Sequence, residues 1–432
     1  MVLIMEKQQL LDYLYGLERF GMKLGLEEIT KLVDALDNPQ FKFKTIHVAG
    51  TNGKGSTSAF LASILQTAGY KVGLNTSPHL IEFNERIKIN GEKISDEELV
   101  ALIPEIKQKV EENDIQTTFF EFTTALAFKY FEQQKVDYAI IEVGMGGRLD
   151  ATNVIKPEIC VITNIDLDHT KHLGNTKLQI APEKAAIIKE GSIVVTGEQD
   201  PEILADFKMV CEEKNAELFV LNEEISYDVI LSGLVGQAAK VTGLLEGNFE
   251  FKMLGEHQIK NGLLAALAIL KMNPYFSLNA IKQGLHNAKW SGRLELVNHK
   301  PLVLIDGAHN VAGAITLNKF LESTVQKIKG MKILILGIAK DKQIPEMVDL
   351  IVPFADEVIL TQGNFKPAEI EVLKKEVVRH LSEDKITVCP EVPNAIRKAL
   401  ELVTDDGIII ATGSLYMVGD VLKHRNLFKE TD

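Results

Sequence analysis

The chain has 432 residues, enough for two or three domains with separate buried cores. Its 47 Lys and Arg against 60 Asp and Glu leave a net charge of −13, which argues against nucleic acid or an anionic membrane as the main partner. Three cysteines (Cys160, Cys211, Cys389) lie far apart without C-x-x-C spacing, which excludes a disulfide framework and a zinc site and suits a reducing cytoplasm.

The first charge comes at Glu6 and no run of about 18 uncharged apolar residues follows, so neither a signal peptide nor a membrane span is expected. Short apolar runs then alternate with helical patterns, which predicts α/β layers around largely parallel sheets. A strand at 44–48 leads through a glycine-rich turn into a helix at 56–68, and a second strand follows at 71–75. Asn90-Gly91 marks a hairpin. Buried strands are expected at 136–143 and 158–163. From 192 to 254 short β-like runs are broken by glycines, read as completing the same sheet; a helix at 258–270 comes next. A second α/β block has strands at 302–305, 332–336, 357–360, 386–389 and 408–411. The expected domains are 1–292 and 297–432.

Four constellations carry chemistry. The first is GTNGKGST at 50–57, between a predicted strand and helix. Glycines let backbone N–H groups approach phosphate oxygens, the helix N-terminus adds partial positive charge, and Lys54 reaches for the β/γ-phosphates. Ser56 or Thr57 is then placed for magnesium. The strict G-x-x-x-x-G-K-[ST] order is not kept, because Gly55 follows the lysine. The second is Glu142 at a strand end, followed by Gly144-Met145-Gly146-Gly147-Arg148-Leu149-Asp150; open α/β sheets bind ligands at this edge. The third is Asn164-Ile165-Asp166-Leu167-Asp168-His169-Thr170, directly after the next strand, with Lys184 further on in the run EKAAIIK; its histidine is a candidate metal ligand or general base. The fourth is Arg293 in SGRLE with Asp306 and His309 in DGAHN, a fork for phosphates and a carboxylate for ribose hydroxyls. Each also has a plain structural alternative: a helix-capping turn, a loop cap, a solvated histidine with a surface lysine, and a boundary salt bridge.

Taken together these stretches stop being independent. GTNGKGST, TSPHL, FFEFTTALA, EVGMGGRLDATN, LDHTKHLGNT, APEKAAIIK, GEHQIKN, SGRLE, DGAHN and ATGSLYMVGDVL occur in that order. The series resembles the folylpolyglutamate synthase family, often bifunctional with dihydrofolate synthase, of the Mur ligase superfamily. The resemblance runs from KLGLEEI at 23–29 to the C-terminus. It implies an N-terminal P-loop ATPase domain with a mostly parallel sheet and a smaller C-terminal Rossmann-like α/β domain, with the active site in the cleft between them. It implies ATP-dependent addition of L-glutamate to a folate or to dihydropteroate through an acyl phosphate.

Position by position, the resemblance places ATP at Gly53, Lys54, Gly55, Ser56, Thr57, Asn261, Arg293 and Asp306, with His309 near the nucleotide. It places magnesium at Ser56, Ser77, Glu142 and His169, and a carbamate on Lys184. The pterin pocket falls to Leu24, Gly25, Thr118, Arg148, Leu149 and Asp150. Two departures from the family pattern stand out: Ala186 where glycine is usual, and Asp166 where a small residue is common. The competing expectations are a UDP-muramyl amino-acid ligase and a nucleotide switch without ligase activity. FFEFTTALA and GGRLDATN speak for the folate type, and the motifs of the second domain speak against a switch. A cytoplasmic monomer is expected.

Overall fold

The computed structural model describes residues 2–17 and 25–429. Two compact units form: Met1–Asp228 with Lys240–Phe249 and Lys260–Ala288, and Val229–Ala239 with Glu250–Ile259 and Lys289–Asp432.

The first unit is built on eight strands: β1 Lys44–Ala49, β2 Val72–Asn75, β3 Ile87–Ile89, β4 Glu92–Lys93, β5 Tyr138–Glu142, β6 Ile159–Ile162, β7 Ile193–Thr196 and β8 Glu217–Val220. Their order is β4-β3-β2-β5-β1-β6-β7-β8. From β2 to β8 every neighbouring pair is parallel, and β3 and β4 add an antiparallel hairpin at one edge. The central strands are runs such as Ile159–Ile162 with every residue buried, the pattern of a sheet covered on both faces. Asn90 and Gly91 at the hairpin tip take φ of 50° and 82°, which an Asn-Gly turn tolerates. The helices Phe119–Gln133 and Asp96–Glu112 pack one face through Phe122, Leu126, Leu102 and Ile106; Ile180, Ile187 and Phe207 fill the other core cluster beside β6 and β7.

Residues 192–254 depart from expectation. Only β7 and β8 join the first sheet; β9 Ile225–Gly233, β10 Gly236–Gly243 and β11 Gly247–Phe251 make a three-stranded sheet of their own. Local alternation announces a strand but does not say which sheet it joins.

The second unit carries β12 Glu295–His299, β13 Leu302–Asp306, β14 Lys332–Leu336, β15 Glu357–Gln362, β16 Ile386–Glu391 and β17 Ile408–Thr412, ordered β12-β13-β17-β14-β15-β16. Five are the expected parallel strands; β12 adds an antiparallel edge that was not expected. Among the described residues no helix is long and apolar enough to cross a membrane.

Candidate functional site

The strand order puts β1 between β5 and β6, so the loops after these three strands share one edge of the first sheet. The loop after β1 turns at Gly50 (φ 144°) and Gly53 (φ 82°), and Gly53 caps the helix Lys54–Thr67 in the left-handed region. Neither glycine has room for a Cβ. At Gly50 it would lie 1.8 Å from Thr163 Oγ1, and at Gly53 2.6 Å from Asn261 Oδ1. Asn261, on the helix Glu256–Met272, is thereby seated against the glycine loop. The loop after β6 braces this turn. Thr163 Oγ1 donates to Asn52 O (2.6 Å), Asn52 N donates to Asn164 Oδ1 (2.9 Å), and Thr51 Oγ1 donates to Asp166 O (3.0 Å). Thr163 was not among the expected site residues, and Asn164 opened the third constellation without a role; their place at the end of a strand beside β1 was the available signal.

Two lysines converge on one atom. Lys54 Nζ donates to Gly50 O at 3.0 Å and to Thr51 O at 3.2 Å. Lys184, 134 residues away along the chain, donates to the same Gly50 O at 2.9 Å. Lys184 is 4% exposed. Burial, and then repulsion from Lys54, outweigh the pull of Asp168 and Asp150 and bring its pKa down to about 7. Near neutral pH this amine is therefore in large part uncharged. The helix that carries it, Lys177–Ala185, ends at Ala186 with φ −66°. No left-handed conformation is required there, so alanine in place of glycine costs nothing in backbone strain.

Glu142 closes β5 at 5% exposure and accepts Ser77 N–H at 3.0 Å, which joins two of the expected magnesium positions. His169 sits at φ 49°, caps the short helix Thr170–Leu173, and has its imidazole 3.9 Å from Asp168. Asp166 lies 3.7 Å from Lys177, so its added charge is partly balanced. Among the described residues no group of three or more His, Cys, Asp and Glu could hold a metal ion. Magnesium is characteristically held by one or two carboxylates with water and substrate phosphates, and Glu142 with serine hydroxyls near a phosphate loop fits that donor set.

The loop after β5 is tied to the lysine helix: Arg148 N donates to Glu183 O (2.8 Å) and Arg148 Nε to Glu183 Oε1 (3.0 Å). Asp150 is buried and accepts Met145 N–H (2.8 Å), Thr152 N–H (3.0 Å) and the Thr152 hydroxyl (2.5 Å); burial pushes its carboxyl pKa up. Thr118 caps the helix Phe119–Gln133 in a reciprocal box with Glu121, so its hydroxyl already has a structural task. Gly144 lies under the ring of Phe120, where a Cβ would come within 2.4 Å. Gly25 has φ 154°, and Leu24 lies outside the described residues.

In the second unit Asp306 ends β13 at 7% exposure. Its two oxygens accept Leu294 N–H (2.9 Å) and Ala308 N–H (2.9 Å). Burial raises its pKa, and Arg293 opposes that rise. Arg293 Nη1 donates to Gly307 O at 3.1 Å, and His309 Nδ1 meets the same oxygen at 2.9 Å. His257, held at a pKa of about 4 by burial and then by Arg293, completes this group and was not foreseen beyond its motif.

Residues 48–269 match the model of the Mur ligase middle domain, and 292–415 that of the Mur ligase glutamate ligase domain. The chain is 39% identical to the dihydrofolate synthase/folylpolyglutamate synthase of Bacillus subtilis, over 95% of this chain and 97% of that one. The Mycobacterium tuberculosis folylpolyglutamate synthase, solved with ADP and AMPPCP, superposes with a TM-score of 0.87 at 30% identity over 99% of each chain. The Escherichia coli FolC, solved with DHPP and ADP, gives a TM-score of 0.85 at 28% identity over 98% of each chain.

Proposed function

The chain belongs to the Mur ligase family, among its ATP-dependent folylpolyglutamate and dihydrofolate synthases, and we propose that its own residues divide the ligation as follows. A carboxylate is a poor electrophile until one oxygen becomes a leaving group. The acceptor carboxylate therefore attacks the γ-phosphorus of ATP, giving an acyl phosphate and ADP. The neutral amine of L-glutamate then attacks the acyl carbon, phosphate leaves, the surplus proton on the attacking nitrogen passes to solvent, and the amide keeps its N–H.

The first step brings anions together. Lys54 moves from the loop carbonyls to the β/γ-phosphates, and the N–H groups of Gly53, Gly55 and Ser56 face the phosphate oxygens, while the Thr57 N–H closes the first helical turn on Gly53 O at 2.8 Å. Asn261 secures Gly53. Arg293 takes a phosphate, Asp306 the ribose and His309 a place near the nucleotide. Ser56, Ser77, Glu142 and His169 would hold magnesium, which when bound neutralises charge developing on the transferring phosphoryl group. The neutral Lys184 amine attacks carbon dioxide, forms an N–C bond and loses a proton. The resulting carbamate puts an anion where the neutral amine stood, beside the phosphate loop. Leu24, Gly25, Thr118, Arg148, Leu149 and Asp150 line the pterin side, and dihydropteroate is accepted as well as folates. The enzyme is a cytoplasmic monomer, for which the acidic balance and three free cysteines are the support.

The observation that carries this assignment is the shared Gly50 carbonyl, where Lys54 and Lys184 meet. Two amines gathered at one buried point, of which Lys184 readily gives up its proton, have purpose once Lys54 turns to a triphosphate and Lys184 to carbon dioxide. The test is ADP release with Mg-ATP and L-glutamate, offering dihydropteroate and tetrahydrofolate separately. Turnover with both acceptors is expected. Turnover with tetrahydrofolate alone restricts the enzyme to chain extension, and turnover with neither removes the assignment.

A further inference from the structure

His47 lies within β1, three residues before the Gly50 whose carbonyl receives both lysines, and it is 0% exposed. Its strand neighbours Ile46 and Val48 are apolar, as a sheet covered on both faces requires. An imidazole at this position is costly. Burial, and then repulsion from Lys189, push its pKa down to about 3, so the ring is neutral and carries one N–H.

The surrounding hydrogen bonds fix where that N–H points. Asp150 caps the short helical turn Ala151–Val154, and its carboxylate accepts N–H bonds from Met145 at 2.8 Å and Thr152 at 3.0 Å. The Thr152 hydroxyl donates its single proton to Asp150 Oδ1 at 2.5 Å. Thr152 Oγ1 is therefore left as an acceptor toward His47 Nε2, 2.9 Å away, and the ring proton resides on Nε2. Imidazole N–H, hydroxyl and carboxylate thus form one line with a single direction, and all three side chains are buried.

The line has a cost and a return. His47 Nδ1 has no partner among the described residues and bears the desolvation cost of a buried acceptor. A leucine would fill the strand position without that cost. What the histidine supplies is a donor behind Thr152, which keeps the hydroxyl proton turned to Asp150. Burial raises the Asp150 pKa, and the Thr152 hydroxyl is the largest of the bonds that oppose the rise. The carboxylate so held closes the turn from Met145 to Asp150, which carries Arg148 and Leu149.

We propose that His47 is a positioning residue for the acceptor: acting through Thr152, it fixes the Asp150 carboxylate and with it the turn that forms the pterin-side wall. This role rests on the assignment of Arg148, Leu149 and Asp150 to that wall. It also joins the strand that carries the phosphate loop to the loop that receives the acceptor.

Steady-state ADP release by the full chain provides the test. Dihydropteroate or tetrahydrofolate, whichever the wild type turns over, is varied at saturating Mg-ATP and L-glutamate, and ATP is then varied in turn. His47→Leu removes the donor and the bare Nδ1 together. It is expected to raise the acceptor KM about tenfold, with the KM for ATP within about twofold of normal and the melting temperature unchanged or higher. Thr152→Val interrupts the same line one group later and should give the same split, whereas Thr152→Ser keeps the hydroxyl and should restore the acceptor KM. Because the groups act in series, His47→Leu/Thr152→Val should be no worse than Thr152→Val alone. Equal rises in both KM values, or additive effects in the double variant, overturn the proposal. Asp150→Asn separates it from the pocket assignment. An unchanged acceptor KM in that variant removes the pocket and the role of His47 together; a raised one beside a normal His47→Leu removes the role of His47 alone.

Discussion

In the first unit the loop after β1 gathers two lysine side chains onto one carbonyl, whereas in the second the loop after β13 folds a buried carboxylate onto its own backbone. Both loops lie where parallel strands end, the common place for ligands in open α/β sheets. Their electrostatics differ. Lys54 and Lys184 repel each other across a buried point, and that tension is relieved when one sheds its proton or an anion arrives. Asp306 has two N–H donors and the field of Arg293 already in place. The first edge is thus poised for an incoming charge, and the second holds its carboxylate in place before any nucleotide arrives. Substitutions in the first should act mainly on catalysis, and substitutions in the second mainly on stability.

The largest effect is expected from Lys54→Ala. It should lower kcat/KM for ADP release at least 100-fold, about 3 kcal/mol of transition-state stabilisation. It should also raise the pKa of Lys184, since Lys54 contributes to its depression. Near-normal turnover would erase the contrast between the two edges.

Next comes the pH dependence of stability that Lys184 imposes. Its folded pKa of about 7 lies below the ordinary 10.5. Between these values the unfolded chain holds a proton that the folded chain has released, so stability rises with pH across that window. Below pH 7 both states are protonated and the full penalty applies. The limiting slope for one proton is about 1.4 kcal/mol per pH unit. Urea unfolding at pH 7 and pH 9 should show a rise in the wild type that Lys184→Met lacks. Equal slopes would mean that the amine is not buried as a cation.

Asp306→Ala leaves the Leu294 and Ala308 N–H groups without their acceptor and should cost about 2 kcal/mol of unfolding free energy. Asp306→Asn keeps an acceptor oxygen and should cost less. A variant of normal stability but without activity would leave Asp306 with its place at the ribose and no part in holding the loop. The smallest effect is expected from Asp166→Asn: its partner Lys177 is partly exposed, so the change in melting free energy should stay below about 0.5 kcal/mol.

Much of this was legible in the sequence. Apolar runs that stop at a polar residue located the strands of both sheets, because strands covered on both faces have no polar side to show. The strand β12 was not legible: Glu295–His299 is an edge whose residues are half-buried, and its composition resembles a loop. The sheet formed by β9 to β11 was recognised as β-like but assigned to the wrong partner. The glycine loop announced itself by its glycines, lysine and hydroxyls at a strand-to-helix junction, without the strict P-loop order. The position of Lys184 did not, because its hydrogen bond to Gly50 spans 134 residues and only the packed helix makes it. Thr118 and Glu121 carry the Thr-x-x-Glu signature of a helix start, which assigns a capping task to a hydroxyl expected in the pterin pocket.

The strand order has a consequence for synthesis. The strand β1 finds its two neighbours in Tyr138–Glu142 and Ile159–Ile162, both made long after it. At ribosomal rates of 5–20 residues per second the phosphate loop waits on the order of 5 to 20 seconds for the first of them. Thr163 and Asn164, which brace the loop, come later still. A nascent chain halted before Tyr138 therefore has the whole glycine motif and no nucleotide site, so ATP can bind only after more than a third of the polypeptide has left the ribosome.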